Sequence, residues 1–247
     1  MKILLNPAFE SLRTFVESVP HIFGEEGKTI YKGRNKIKVI KIGEIDVNVK
    51  RYRVPMFFNR VIYTFIRKSK GLRAFQYPQR LLEKGFETPQ PIAYIEERNF
   101  GLIGYSYFVS VHCPYSRRFY EFGDADIKDC SDIVIAFARF SAKLHEAGIL
   151  HLDYSPGNIL FDKEDGEYKF SLVDINRMKF GKVSIEAGCA NFARLWGQIP
   201  FFELLAKEYA ATRGADEALC RDLILTYRRK FWTRFAKKHQ VKYTLNF

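Results

Sequence analysis

The chain has 247 residues, 47 % of them hydrophobic and 16 % aromatic, with a formal net charge of +12. That length can bury a sizeable core, and that composition excludes a disordered chain. Its four scattered cysteines, Cys113, Cys130, Cys189 and Cys220, make no CxxC pair and no Cys/His cluster, which argues against a structural zinc site or a disulfide scaffold and fits a reducing compartment.

The opening "MKILLNPAFE" has only a short apolar patch before Asn6 and Pro7, too short for the core of a signal peptide. No apolar run approaches the length of a membrane span. The expected location is therefore cytoplasmic, with peripheral contact at the inner face of the cytoplasmic membrane left open. Residues 28–53 read as strands: "KTIYKG", "IKVIKI" and "IDVNVKRYR", the last two joined by a turn at Gly43-Glu44. Residues 57–68 and 71–84 have helical patterns, the second interrupted by Pro78. "TPQPIAYIEE" and "LIGYSYFVSVHC" then read as two more strands.

After residue 115 the character changes. "DIVIAFARFSAKLHEAG" places Ile133, Val134, Phe137, Phe140 and Leu144 on one helical face, with Gly148 as its cap. "GNILF" and "KFSLVDI" predict a hairpin around "DKEDGEY", where Asp165-Gly166 is a strong turn signal. From about residue 186 the pattern is mostly helical. The expected fold is α+β and two-lobed in one domain, with a β-rich N-lobe over about 1–112 and a mainly α C-lobe over about 113–247.

The positive charge is clustered: "KGRNKIKVIK", "KRYR", "RKSKGLR" and "RRKFWTRFAKKHQVK". One such run is usually a solvated face, but four in one chain point to an anionic substrate or surface. Nucleic acid, nucleotide phosphates and acidic lipids all qualify. In the C-terminal run, cations interleave with Leu223, Leu225, Tyr227, Phe231, Trp232 and Phe235. That segment reads either as a helix lying on a membrane or as a core helix with a solvated basic side.

Chemistry concentrates at the hairpin. In "HLDYSPGNILF" an acid, Asp153, precedes a tight turn and an amide, Asn158, follows it, while Asp174 closes the hairpin's second strand. A carboxylate placed directly after a buried apolar strand calls for a cation. The oxygen pair from Asn158 and Asp174 suits Mg²⁺, which takes the rest of its shell from water and phosphates. Asp153 is then free to orient an attacking hydroxyl and accept its proton.

"LHEAGILHLDYSPGNILF" followed by "LVDIN" resembles the catalytic segment of the protein-kinase-like superfamily. The resemblance implies ATP and Mg²⁺ as cofactors, Asp153 as catalytic base, His151 as the brace of its loop, and Asn158 and Asp174 as metal ligands. It also implies a strand lysine for the α/β-phosphates, best supplied by Lys50, with Lys41 as rival. No Gly-rich loop is present. Gly33 is the single glycine of "YKGRNKIK", so Arg34 and Lys36 with the backbone are expected to cover the phosphates. The partner acid of Lys50 is also displaced: Gln76 sits near its place, and Glu83 lies two turns later.

"INRMKFG" follows Asp174 where a peptide-directed kinase has Phe-Gly, and no Ala-Pro-Glu element comes after it. "VNVKRYRVP", "LLEKGFETPQPIAY" and "HLDYSPGNILF" together look most like the bacterial lipopolysaccharide kinases that phosphorylate Kdo or heptose. That resemblance implies a lipid-linked acidic sugar acceptor and peripheral contact with an anionic membrane surface, and it disfavours nucleic acid as a partner. The alternatives are an atypical Ser/Thr protein kinase, a small-molecule phosphotransferase, or a catalytically weak kinase-fold scaffold.

Overall fold

The computed structural model describes residues 1–247, which form two compact units, Met1–Pro114 and Tyr115–Phe247. In chain order the first unit holds β1 (Lys2–Leu5), α1 (Arg13–Ile22), β2 (Lys28–Lys32), β3 (Lys36–Ile42) and β4 (Ile45–Tyr52). It continues with α2 (Phe57–Val61) and a π-helical turn over Ile62–Ile66, then α3 (Lys70–Leu82), β5 (Pro91–Asn99) and β6 (Leu102–Val111). The strands make one antiparallel sheet in the order β1-β5-β6-β4-β3-β2.

Alternation decides which face of this sheet is buried. Val47 and Val49 of β4 lie fully buried with Ile92, Ile95 and Val109, and Asn48 between them and Lys50 after them fall on the other face. The sheet's buried face packs on Val16, Val19 and Phe23 at the end of α1. Neither β1 nor α1 is foreseen from the sequence. Both depend on distant partners: Leu4 of β1 opposes Tyr94 of β5, Asn6 Nδ2 donates to the Pro91 carbonyl at 2.8 Å, and Val16 and Val19 of α1 pack in the core with Ile92 and Val109 of the sheet. The expected helix 57–68 is shorter and changes pitch at Ile62, while α3 runs through Pro78 without stopping.

The second unit contains β7 (Arg117–Arg118), α4 (Ile127–Glu146), β8 (Ile149–His151), β9 (Ile159–Glu164), β10 (Glu167–Leu172) and β11 (Met178–Phe180). Three helices complete it: α5 (Ile185–Asn191), α6 (Ile199–Arg213) and α7 (Glu217–Ala236). β9 and β10 are the predicted hairpin. Asp165 and Gly166 at its tip both take positive φ, 50° and 83°, as a two-residue primed turn requires.

The hairpin is held by aromatic packing. Phe161 and Phe170 oppose each other across the two strands, and Phe170 lies 5.7 Å from Phe137 and 5.0 Å from Phe140 of α4, ring centre to ring centre. Phe119 joins the cluster 4.2 Å from Phe137. Such pairs contribute about 0.5–1.5 kcal/mol each beyond the area they bury, which makes the hairpin a rigid support for the loops at its open end. No helix of the structure is long and apolar enough to cross a membrane.

Candidate active site

β8 ends at His151, and its pairing with β11 carries the chain into the loop 152–158; the Leu152 N–H donates to the Arg177 carbonyl at 2.8 Å. His151 is fully buried, and both its nitrogens are used. Nε2 donates to the Val173 carbonyl at 3.1 Å, and Nδ1 accepts the Asp153 N–H at 3.0 Å. That pattern requires the neutral ring, and burial pushes the His151 pKa down, in agreement. The histidine thus ties the Asp153 backbone to the segment just before Asp174.

Asp153 turns its carboxylate outward, with 26 % of the side chain exposed. Arg194 pairs with Oδ1, and Arg177 Nη1 lies 3.8 Å from Oδ2. The Asp153 carbonyl accepts the Asn158 Nδ2–H at 2.8 Å, so the Asn158 amide is oriented by its nitrogen, which is spent on the loop. Ile159 and Leu172 are the last paired residues of the hairpin, and the Val173 N–H continues the ladder to the Asn158 carbonyl at 3.0 Å. Asp174 therefore emerges next to Asn158. Its φ of 54° lies in the left-handed region, a conformation that costs a non-glycine residue free energy and is concentrated at functional sites. Asn176 Nδ2 donates to Asp174 Oδ1.

A second layer lies beneath this loop. Asn191 Nδ2 donates to the His151 carbonyl at 2.9 Å, which leaves its Oδ1 to accept from His145 Nε2 at 3.2 Å. His145 Nδ1 then accepts the Tyr209 hydroxyl proton at 2.9 Å, and Arg213 Nη1 donates to the same hydroxyl oxygen at 2.8 Å. Desolvation holds the His145 pKa down at about 4 and pushes that of Tyr209 up. Space around this relay is tight: a Cβ on Gly188 would meet the Tyr209 hydroxyl at 1.9 Å.

Beside Asp153 opens a cavity of about 470 Å³ whose lining includes Leu152, Arg194, Tyr227, Lys230 and Arg234. Arg194 is the link between the two, since it pairs with Asp153 and lines the cavity while its guanidinium lies 5.3 Å from the Phe231 ring. In α7, Trp232 is buried and Phe231 and Phe235 pack around it. The aromatic face of this helix is turned inward, and its cations Arg229, Lys230 and Arg234 are exposed.

In the first unit, Lys50 lies mid-sheet between Ile37 of β3 and Phe108 of β6, its Nζ 5.4 Å from the Tyr52 ring centre. Gly33 and Arg34 form the exposed turn between β2 and β3, and Lys36 begins β3. Gln76 accepts from Lys68 Nζ at 2.8 Å, and Glu83 accepts from Gln79 at 3.1 Å.

Sequence reasoning brings Asp153, His151, Asn158 and Asp174 to one end of one hairpin, as found. It misses Arg177, Asn176, Asn191 and Arg194. Only Asn176 and Arg177, within two or three residues of Asp174, carried a local signal; Asn191 and Arg194 follow no spacing rule.

Fold and matched segment define the class: a phosphotransferase of the α+β kinase-like fold. Residues 125–201, which contain all four hairpin residues and Arg194, match the Lipopolysaccharide kinase (Kdo/WaaP) family. Over 94 % of this chain and 99 % of the other, the structure is similar to that of WaaP in complex with acyl carrier protein, with a TM-score of 0.64 at 17 % identity. A microcompartment-associated aminopropanol kinase superposes over 92 % of this chain and 91 % of its own, with a TM-score of 0.49 and 10 % identity. No curated protein matches the chain.

Proposed function

We propose that this protein transfers the γ-phosphoryl group of ATP, with Mg²⁺, to a sugar hydroxyl of the lipopolysaccharide inner core, on Kdo or heptose. The observation that carries this reading is the partly exposed Asp153 carboxylate, within the segment 125–201 that matches the Kdo/WaaP family, paired with Arg194, which lines a cavity together with Lys230 and Arg234. Its two units are read as the lobes of one kinase-like domain. An acidic, lipid-linked glycan is the acceptor class that Lys230, Arg234 and Arg194 suit electrostatically.

Asp153 orients the acceptor hydroxyl. Its proton passes to the carboxylate as the new O–P bond forms and the bond from the γ-phosphorus to the bridging oxygen breaks, leaving ADP. His151 braces the loop. Asn158 Oδ1 and the Asp174 carboxylate are hard oxygen donors, the type and number Mg²⁺ takes when phosphates complete its shell; the ion would neutralise charge on the phosphates. Lys50 is the proposed contact to the α/β-phosphates, and the turn at Gly33, Arg34 and Lys36 the proposed phosphate cover.

The test uses γ-labelled ATP and Mg²⁺ with lipopolysaccharide-bearing membranes and, in parallel, a mixed protein fraction. Label should enter the glycolipid and be lost with Asp153→Ala, while nucleotide binding persists. The pair Lys230→Gln/Arg234→Gln should raise the acceptor KM by about tenfold with little change in the KM for ATP. Label in polypeptide instead would favour an atypical protein kinase.

A further inference from the structure

The segment from Met56 to Ile66 is amphipathic the wrong way round for a helix that helps to build a core. Its polar side faces the protein. Arg60 Nε donates to the Ile103 carbonyl at 2.8 Å and Nη2 to the Asn99 carbonyl at 3.2 Å. Thr64 Oγ1 accepts the Ile103 N–H at 3.0 Å and donates to the Arg60 carbonyl at 2.7 Å. These bonds fasten α2 and the π-helical turn to the hairpin of β5 and β6 by hydrophilic groups.

The apolar side is left in solvent. Phe58 is 80 % exposed, Phe65 73 % and Ile66 79 %, with Met56, Phe57 and Ile62 beside them. The turn that Arg60 grips carries one more such residue, Phe100, fully exposed and held at a φ of 53°. Scattered exposed apolar residues are ordinary, but six within eleven positions on one surface mark an interaction site.

Charge says what that site meets. No acidic residue occurs between Asp46 and Glu83, a stretch that holds nine lysines and arginines. Arg53, Arg67 and Lys68 are exposed at either end of the apolar row. Bulky apolar and aromatic side chains bordered by cations are the pattern of a helix lying in the plane of an anionic lipid surface, with its apolar face sunk to the level of the acyl chains.

We infer that Met56–Ile66, with Phe100, is a membrane-docking face that seats this protein on an anionic lipid monolayer. This face lies on another element than the basic C-terminal helix, whose aromatic residues are engaged within its own unit. The inference rests on the proposed function only in that a lipid-linked acceptor gives the docking a purpose.

Vesicle sedimentation tests it. Full-length protein should sediment with vesicles of phosphatidylethanolamine and phosphatidylglycerol, and far less with phosphatidylcholine alone. Phe58→Ser/Phe65→Ser/Ile66→Ser should bind at least about tenfold more weakly with an unchanged thermal midpoint, since none of the three residues is buried. Phe65→Trp should show a blue-shifted emission on adding the vesicles. Asp153→Ala should sediment like wild type, so that a failure of docking and a failure of the catalytic assignment are read separately. Equal binding of the triple variant and wild type would overturn the inference. So would a wild-type dimer that the triple variant converts to monomer without any change in sedimentation, because the face would then belong to a second copy.

Discussion

Arg194 decides how the Asp153 carboxylate is presented. The aspartate reaches solvent on one side and an arginine on the other, and Arg177 stands further off on its second oxygen. An exposed ion pair of this kind contributes little to stability, about 0–1 kcal/mol, so its importance is geometric. Phosphoryl transfer depends on positioning, and a misplacement of about 1 Å can cost about 10²-fold. Arg194→Ala is therefore expected to lower kcat by about 10- to 100-fold with little change in the KM for ATP or in the melting temperature, and Arg194→Lys should restore part of the loss. Steady-state kinetics on both variants check this, and an unchanged kcat would reduce Arg194 to a surface residue. Such a role is hard to read in advance, because Arg194 lies 41 positions from the aspartate it holds. Asp153 and Asn158, by contrast, are five positions apart and joined by one turn, so local chain chemistry sufficed.

At the scale of elements, α4, α5 and α6 are joined beneath the active loop by the relay from Asn191 through His145 to Tyr209. His145 stays neutral there with a pKa of about 4, against an ordinary value near 6.5. Above pH 6.5 the ring is neutral in both folded and unfolded chains, and the relay's contribution is complete. As pH falls from about 6.5 towards 4, the unfolded chain takes up the proton first, so native stability drops, by up to roughly 3 kcal/mol. Buried His151 shifts in the same direction and adds to the loss. Urea unfolding midpoints should decline between pH 7 and 4.5, more steeply than in His145→Gln; matching slopes would remove His145 from the account. The elements themselves were unequally legible. The hairpin of β9 and β10 announces itself through Asp165-Gly166 and its apolar arms. The strand β1 does not, because its pairing partner lies some 90 residues on. The helical pattern over 57–68 foretells the helix, which ends at Ile66, but a pattern does not tell which face turns inward, and here hydrogen bonds from Arg60 and Thr64 settle that against hydrophobicity.

Taken whole, the protein carries a net charge of +12, and the proposed acceptor cavity and the inferred docking face are both bordered by cations. Exposed charges act over about 10 Å at 0.1 M salt and about 3 Å at 1 M. The acceptor KM on anionic vesicles should accordingly rise several-fold between about 0.05 and 0.5 M NaCl; a flat profile would mean that charge does not guide the encounter. Composition alone gave the excess of cations, but not their placement: Lys230 and Arg234 line the cavity near Arg194, and Arg53, Arg67 and Lys68 border the exposed apolar row. The outward-facing row at Phe58, Phe65 and Ile66 has a further consequence. Folding places no demand on those side chains, whereas it does on Arg60 and Thr64 behind them. Over generations, mutation without selection for lipid contact would erode the outer row first and leave the inner bonds standing. A lineage in which both rows persist is one whose ancestors went on using that surface.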